Sequence, residues 1–142
     1  MGYKDIKFDE SIPKGYKIAY TITTAGTNYR IDNCLAFVNG LNHQIELQAE
    51  PGNEHDKNAI MVVGNVTLTS FFFFKSQKRI LLGYIPADIA SILAPNDTYK
   101  NYKIRQRYAG ASEKGAKIEF QLLEKKTPKT KKEKQNHNKE EM

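Results

Sequence analysis

A chain of 142 residues is long enough for one domain with its own core and too short for two of ordinary size. Its single cysteine, Cys34, excludes an intramolecular disulfide and any Cys-rich zinc site, and points to a reducing compartment. The net charge of +6 argues only weakly for a nucleic-acid partner, because residues 125–142, with seven Lys against three Glu, carry +4 of it and leave +2 for the body.

Residues 1–15 read as a polar leader. Met1–Glu10 is charged and lacks the apolar run of a signal peptide, and Ile6 stands where a myristoylation signal on Gly2 needs Ser or Thr. No later stretch approaches the roughly 18 apolar residues of a membrane span. The expectation is an intracellular, cytoplasmic protein with no membrane attachment.

The domain is expected over 16–124. Tyr16–Thr24 alternates as a strand, with Ile18, Tyr20 and Ile22 on one face, and Gly26 permits a bend. From Arg30 to Val38, Ile31, Cys34, Leu35 and Val38 fall at helical spacing, and Asn39-Gly40 supplies the stop. Cys34 lies on the inner stripe of that helix, where it reads as a small core residue. His43 follows in a turn. Gln44–Glu50 alternates again, with Ile45, Leu47 and Ala49 on one face, and Ala59–Val63 resumes a β-rich run. Between them Pro51 and Gly52 break the strand, while Asn53, Asp56 and Asn58 are side chains that bond their own backbone in turns. A rigid loop concentrating Asn, His, Asp and Lys at a hairpin end is a place for ligand contacts. Asp56 has a second reading as a cap on the amide of Asn58, and Asn58 reads as structural.

Residues 65–78 read as an insertion. It contains Phe71-Phe72-Phe73-Phe74, which in a strand would put two rings inside and two outside, to cap the open side of a barrel, stack bases or form a self-association edge. Arg79–Ile85 is the next strand, feeding a short helix over Pro86–Leu93, with Pro at its start, Asp88 in its first turn and Ile89, Ile92 and Leu93 on one face. Two more strands, Thr98–Tyr108 and Lys114–Leu123, are expected as a hairpin turning at Ala109–Ser112. Lys100, Lys103, Arg105 and Arg107, interleaved with Tyr99, Tyr102 and Tyr108, suit either an ordinary exposed strand or one that tracks DNA. Residues 125–142 have almost no apolar side chains and read as a disordered Lys-rich tail, or as an electrostatic arm for DNA. The count is a mainly β chain of five or six strands and two short helices, which suits a small, partly open β-barrel of OB-like character and offers no βαβ repeat.

Catalysis finds no support. The chain has no G-x-S-x-G elbow and no P-loop, and its three histidines, His43, His55 and His137, are scattered. Only His55 and Asp56 lie together, and adjacent loop residues rarely bind one ion, so neither a metal nor a cofactor is expected.

The string Glu50-Pro51-x-Asn53-x-His55-Asp56-x-Asn58-Ala59-Ile60-x-Val62, followed by Leu82-Gly83-Tyr84-Ile85-Pro86 and Ile89-Ala90, with Ala25-Gly26-Thr27 upstream, resembles the HIRAN domain family in register over roughly residues 17 to 94. His55 stands where the family has Tyr, and Gly52 where Asn or Asp is common. The resemblance implies an OB-like barrel, found fused to fork-remodelling helicases and standing alone in bacteria and phage, that captures the 3′ end of single-stranded DNA in repair or fork processing. It implies roles for Tyr29 as a base-stacking ring, His55 as a second ring wall, Asn53 as a hydrogen-bonding group and Asp56 as the carboxylate that accepts from the terminal hydroxyl. Tyr84, at the strand end of the Gly-Tyr-Ile-Pro motif, is either a core or lip residue or a ligand contact. A helicase or nuclease is the implied protein partner. Two alternatives stay open: a protein-interaction module that uses the Phe-rich insertion, and a nuclease accessory or metal-dependent enzyme.

Overall fold

The computed structural model describes residues 3–70 and 74–127. Seven strands are seen among them: β1 (Lys4–Lys7), β2 (Tyr16–Thr23), β3 (Leu41–Ala49), β4 (Ile60–Thr69), β5 (Lys75–Tyr84), β6 (Lys103–Ser112) and β7 (Gly115–Lys125). Helix α1 (Ile31–Asn39) precedes β3, and α2 (Ala87–Leu93) follows β5. Two antiparallel sheets form, in the orders β1-β6-β7-β2 and β3-β4-β5. They do not close into a barrel, so the chain has a mainly β, open OB-like fold.

Alternation explains the core. Ile118, Phe120 and Leu122 of β7 are fully buried, as are Ile60 and Val62 of β4, and these residues join Ile22, Phe37 and Leu82 in one cluster between the sheets. Cys34 is in that cluster too. Burial pushes its thiol up to about 11, against the opposing pull of Arg30, so it stays an uncharged core group.

The predicted elements are present, with several corrections. The leader contributes β1, which pairs with β6 from Lys4↔Ala111 to Lys7↔Tyr108. Ile18 turns outward, because the β2–β7 register shifts between Ile18 and Tyr20 and breaks the alternation there. His43 lies within β3, with its ring edge-on to Phe8 and Phe37. Thr98–Asn101 belongs to a 3-10 segment, Pro95–Asn101, where Asn96 and Asp97 take left-handed φ of 57° and 52° and end any strand. The hairpin between β6 and β7 does not turn at Ala109–Ser112: Ala109 and Ala111 are buried in β6, and the turn is Glu113-Lys114, with the Ser112 hydroxyl accepting from the Lys114 amide at 3.1 Å. Residues 65–69 and 75–78 prolong β4 and β5 as one long hairpin. The Phe run at its end lies outside the described residues except for Phe74, which is exposed and not in a strand.

Candidate nucleic-acid interface

An isolated β-bridge joins the sheets at a corner. Beyond β2, Ala25 and Tyr84 exchange backbone hydrogen bonds at 2.8 and 2.9 Å. Gly83 is what permits this approach: a Cβ there would sit 2.2 Å from the Ala25 carbonyl oxygen. The next residues, Ile85 and Pro86, seat the chain against β4 and start α2, with the Ile85 amide donating to the Ile60 carbonyl at 3.0 Å.

Tyr84 also draws the loop after β3 to this corner. Its hydroxyl donates to Glu50 Oε1 at 3.0 Å, and Asn53 Nδ2 donates to the same oxygen at 2.6 Å. Burial, and then the bond to Glu50, hold the phenol above its ordinary pKa, which keeps it a donor. Asn53 is a strut: its Oδ1 accepts from the amides of His55 at 2.9 Å and Asp56 at 3.0 Å. Asp56 Oδ1 in turn accepts from the Asn58 amide at 2.8 Å, as its turn-capping reading requires. The carboxylate is half-buried, and its Oδ2 has no partner among the described residues. The neighbouring His55 ring is exposed.

The other wall comes from residues 26–30. Thr27–Tyr29 form a 3-10 turn pinned to β7, with Thr27 Oγ1 donating to the Ala116 carbonyl at 2.7 Å and the Ala116 amide donating to Asn28 Oδ1 at 2.9 Å. Tyr29 stands out from it, 90% exposed, although rings of that size normally find cover. Arg30, which sequence reasoning missed, donates to the Gly26 carbonyl at 3.0 Å and lays its guanidinium over the Tyr84 ring, 5.1 Å from the centroid. An open cavity of about 420 Å³ is lined by Asn28–Asn33, at the start of α1, where no side chain caps the first-turn amides. Glu50 was likewise missed as the hub of the loop. Its only sequence signal was its place in the motif.

Tyr84 thus gathers Arg30 on one side and the Glu50–Asn53–Asp56 loop on the other. Tyr29, His55 and Asp56 lie on the two segments it gathers and make no hydrogen bond or ring contact with one another. By contrast, much of the basic strand face is engaged internally. Arg105 donates to the Glu10 carbonyl at 2.6 Å and to Gln121 at 2.7 Å, and Lys103 sits over the Tyr16 ring. Among the described residues no group of three or more His, Cys, Asp or Glu is placed to hold a metal ion, and no helix is long and apolar enough to cross a membrane.

The family model of the HIRAN domain matches residues 19–126 of the 142-residue chain. The chain belongs to the HIRAN domain family. HIRAN domains bind DNA and are not catalytic by themselves, so nucleic acid is the partner class that this fold implies. No curated protein and no solved structure matches this HIRAN chain.

Proposed function

We propose that this HIRAN domain binds single-stranded DNA at its 3′ end and serves DNA repair or fork processing beside a helicase or nuclease. The observation that carries this reading is the Asp56 carboxylate, fixed through Oδ1 by the Asn58 amide and unpartnered at Oδ2 among the described residues. A terminal 3′-hydroxyl donates a hydrogen bond, whereas a continuing strand offers a phosphate that a carboxylate repels. Tyr29 supplies an exposed ring on which a base stacks, worth about 1–3 kcal/mol and indifferent to sequence. His55 is the second ring wall. Arg30, held over Tyr84, and the uncapped amides of α1 suit the adjacent phosphate. Asn53 and Tyr84 set the shape of the cleft more than they meet the ligand.

Fluorescence anisotropy with oligonucleotides identical except for a 3′-hydroxyl or 3′-phosphate tests the assignment. Asp56→Ala lowers affinity for the hydroxyl-ended strand by about 1.5–3 kcal/mol, the range for a hydrogen bond to a charged group, and changes the phosphorylated one far less. Equal losses on both strands would leave Asp56 as a turn cap only. A second reading, a protein-interaction module at the hairpin end, is favoured by one observation, the 69% exposure of Phe74. Binding that ignores salt would select it, because DNA affinity falls steeply as salt rises.

A further inference from the structure

In the order β3-β4-β5, β3 is an edge strand that pairs with β4 alone. Alternate residues of an antiparallel strand turn their N–H and C=O toward the partner, and the rest turn them away. The Glu50 amide donates to the Ala59 carbonyl at 2.8 Å on the β4 side, whereas the Ala49 amide donates outward to the Tyr99 hydroxyl at 3.2 Å. Ile45 and Leu47 share the parity of Ala49, so their backbone groups face outward too. β6 has a matching gap. Its far edge is covered by β1 only from Lys7↔Tyr108 onward, with Phe8 adding one bond to the Arg107 carbonyl. The Gln106 amide points away from β7, to Glu10 Oε1 at 2.9 Å, and Ile104 shares its parity.

The two open edges flank a cavity of about 530 Å³, with His43–Glu46 on one wall and Tyr102–Ile104 and Gln106 on the other. That volume lies in the range of ligand sites, roughly 300–1,000 Å³. Side chains rather than backbone span the seam at its ends: Gln106 Nε2 donates to the His43 carbonyl at 3.0 Å, and the Tyr99 hydroxyl meets Ala49. Between these ties the outward backbone groups of Ile45, Leu47 and Ile104 have no partner among the described residues. Gln106 is only 5% exposed, and its amide is oriented by donating to Glu10 Oε2 at 2.8 Å as well as to His43. Its Oε1 is left buried without a partner, as is His43 Nε2 on the facing wall. A buried polar atom left unpaired is costly, and a ligand that bonds to it recovers the loss.

We propose that the seam between β3 and β6 is a peptide-docking groove, which takes an extended segment of a partner protein by strand addition. An open strand edge is a template for another chain. Both walls present backbone N–H and C=O together, and a polypeptide in extended form answers both, with an N–H to spare for Gln106 Oε1. A sugar-phosphate backbone supplies acceptors and leaves the carbonyls of the walls unmet. The Glu10 carboxylate lines the groove and has no ion-pair partner among the described residues, so charge complementarity adds a preference for a basic side chain in the segment. The groove stands independently of the DNA-end reading, whose ligand contacts lie at residues 29–30 and 55–56.

Amide NMR and hydrogen exchange on the full chain test it, with the peptide acetyl-TVRVT-amide as probe. In the free protein the Ile45, Leu47 and Ile104 amides exchange much faster than their ladder-bonded neighbours Glu46 and Arg105. Peptide at about ten times its Kd shifts these three amides and slows their exchange about tenfold. The same peptide with both valine nitrogens methylated, which cannot donate to the walls, does not bind. Acetyl-TVEVT-amide binds about fivefold more weakly than the Arg peptide, the upper size for an exposed charge pair, and Glu10→Gln removes most of that difference. Protection of the three amides in the free chain, equal binding by the methylated peptide, shifts confined to other strands, or no shift at millimolar peptide would each overturn the groove. Displacement of the peptide by a hydroxyl-ended oligonucleotide would also overturn it, and would assign the seam to nucleic acid.

Discussion

The two ends of the β3-β4-β5 sheet are built on opposite plans. At the loop end a linked set of polar side chains is engaged: Glu50 accepts from Tyr84 and Asn53, Asn53 accepts from two amides, and Asp56 accepts from a third. At the hairpin end Lys75, Gln77 and Lys78 stand in solvent, with nothing among the described residues to hold their side chains. Engaged groups fix a shape and so support discrimination. Loose cations attract any phosphate and add affinity without choosing among ligands. The sheet thus keeps a fixed polar network at one end and unpaired cations at the other.

The comparison breaks most severely at Gly83. Gly83→Ala forces a methyl into the Ala25 carbonyl, so the corner that aligns both walls must open. The expected cost is about 2–3 kcal/mol in denaturant unfolding, with end binding lost as well. A neutral result would mean that the Ala25–Tyr84 pairing does not hold the cleft. Asn53→Ala comes next. It deletes two acceptor bonds and one donor bond, costing about 1–2 kcal/mol of stability. Unlike Asp56→Ala, it weakens hydroxyl-ended and phosphate-ended strands alike; a selective loss would make Asn53 a ligand contact. The smallest effect lies midway along the sheet. Bonds from Asn65 and then Arg79 hold the Glu46 carboxyl below its ordinary pKa. A lowered folded-state pKa gives stability that is present above the unfolded value and lost as pH falls through the folded one. Acid titration of stability therefore shows a small Glu46 component below the usual carboxylate range, and Glu46→Gln removes it. An unchanged acid limb in that variant would dismiss the ladder as a contributor.

What was legible in the residues divides along the same physical line. Period-two alternation located β2 and β3, and helical spacing located α1. Lys4–Lys7 escaped detection, since a four-residue edge strand with only Ile6 half-buried has no period to read. The 3-10 segment was mistaken for strand because Asn96 and Asp97 take up left-handed backbone that their neighbours do not announce. In the loop, Asn53 and Asp56 were readable as turn formers, since they bond within three residues of themselves. Arg30 was not. Its position over Tyr84 joins residues more than fifty apart, and nothing local to either one encodes it.

The reciprocal pairing of Ala25 with Tyr84 has a thermodynamic corollary. Since both flanks of the proposed cleft meet at this seam, local opening there would dismantle that surface at once, and a ligand touching both flanks would oppose the opening in proportion to its own occupancy. Under the proposed binding mode, saturation with DNA and closure of the seam form a single coupled equilibrium, and the domain is most rigid when loaded.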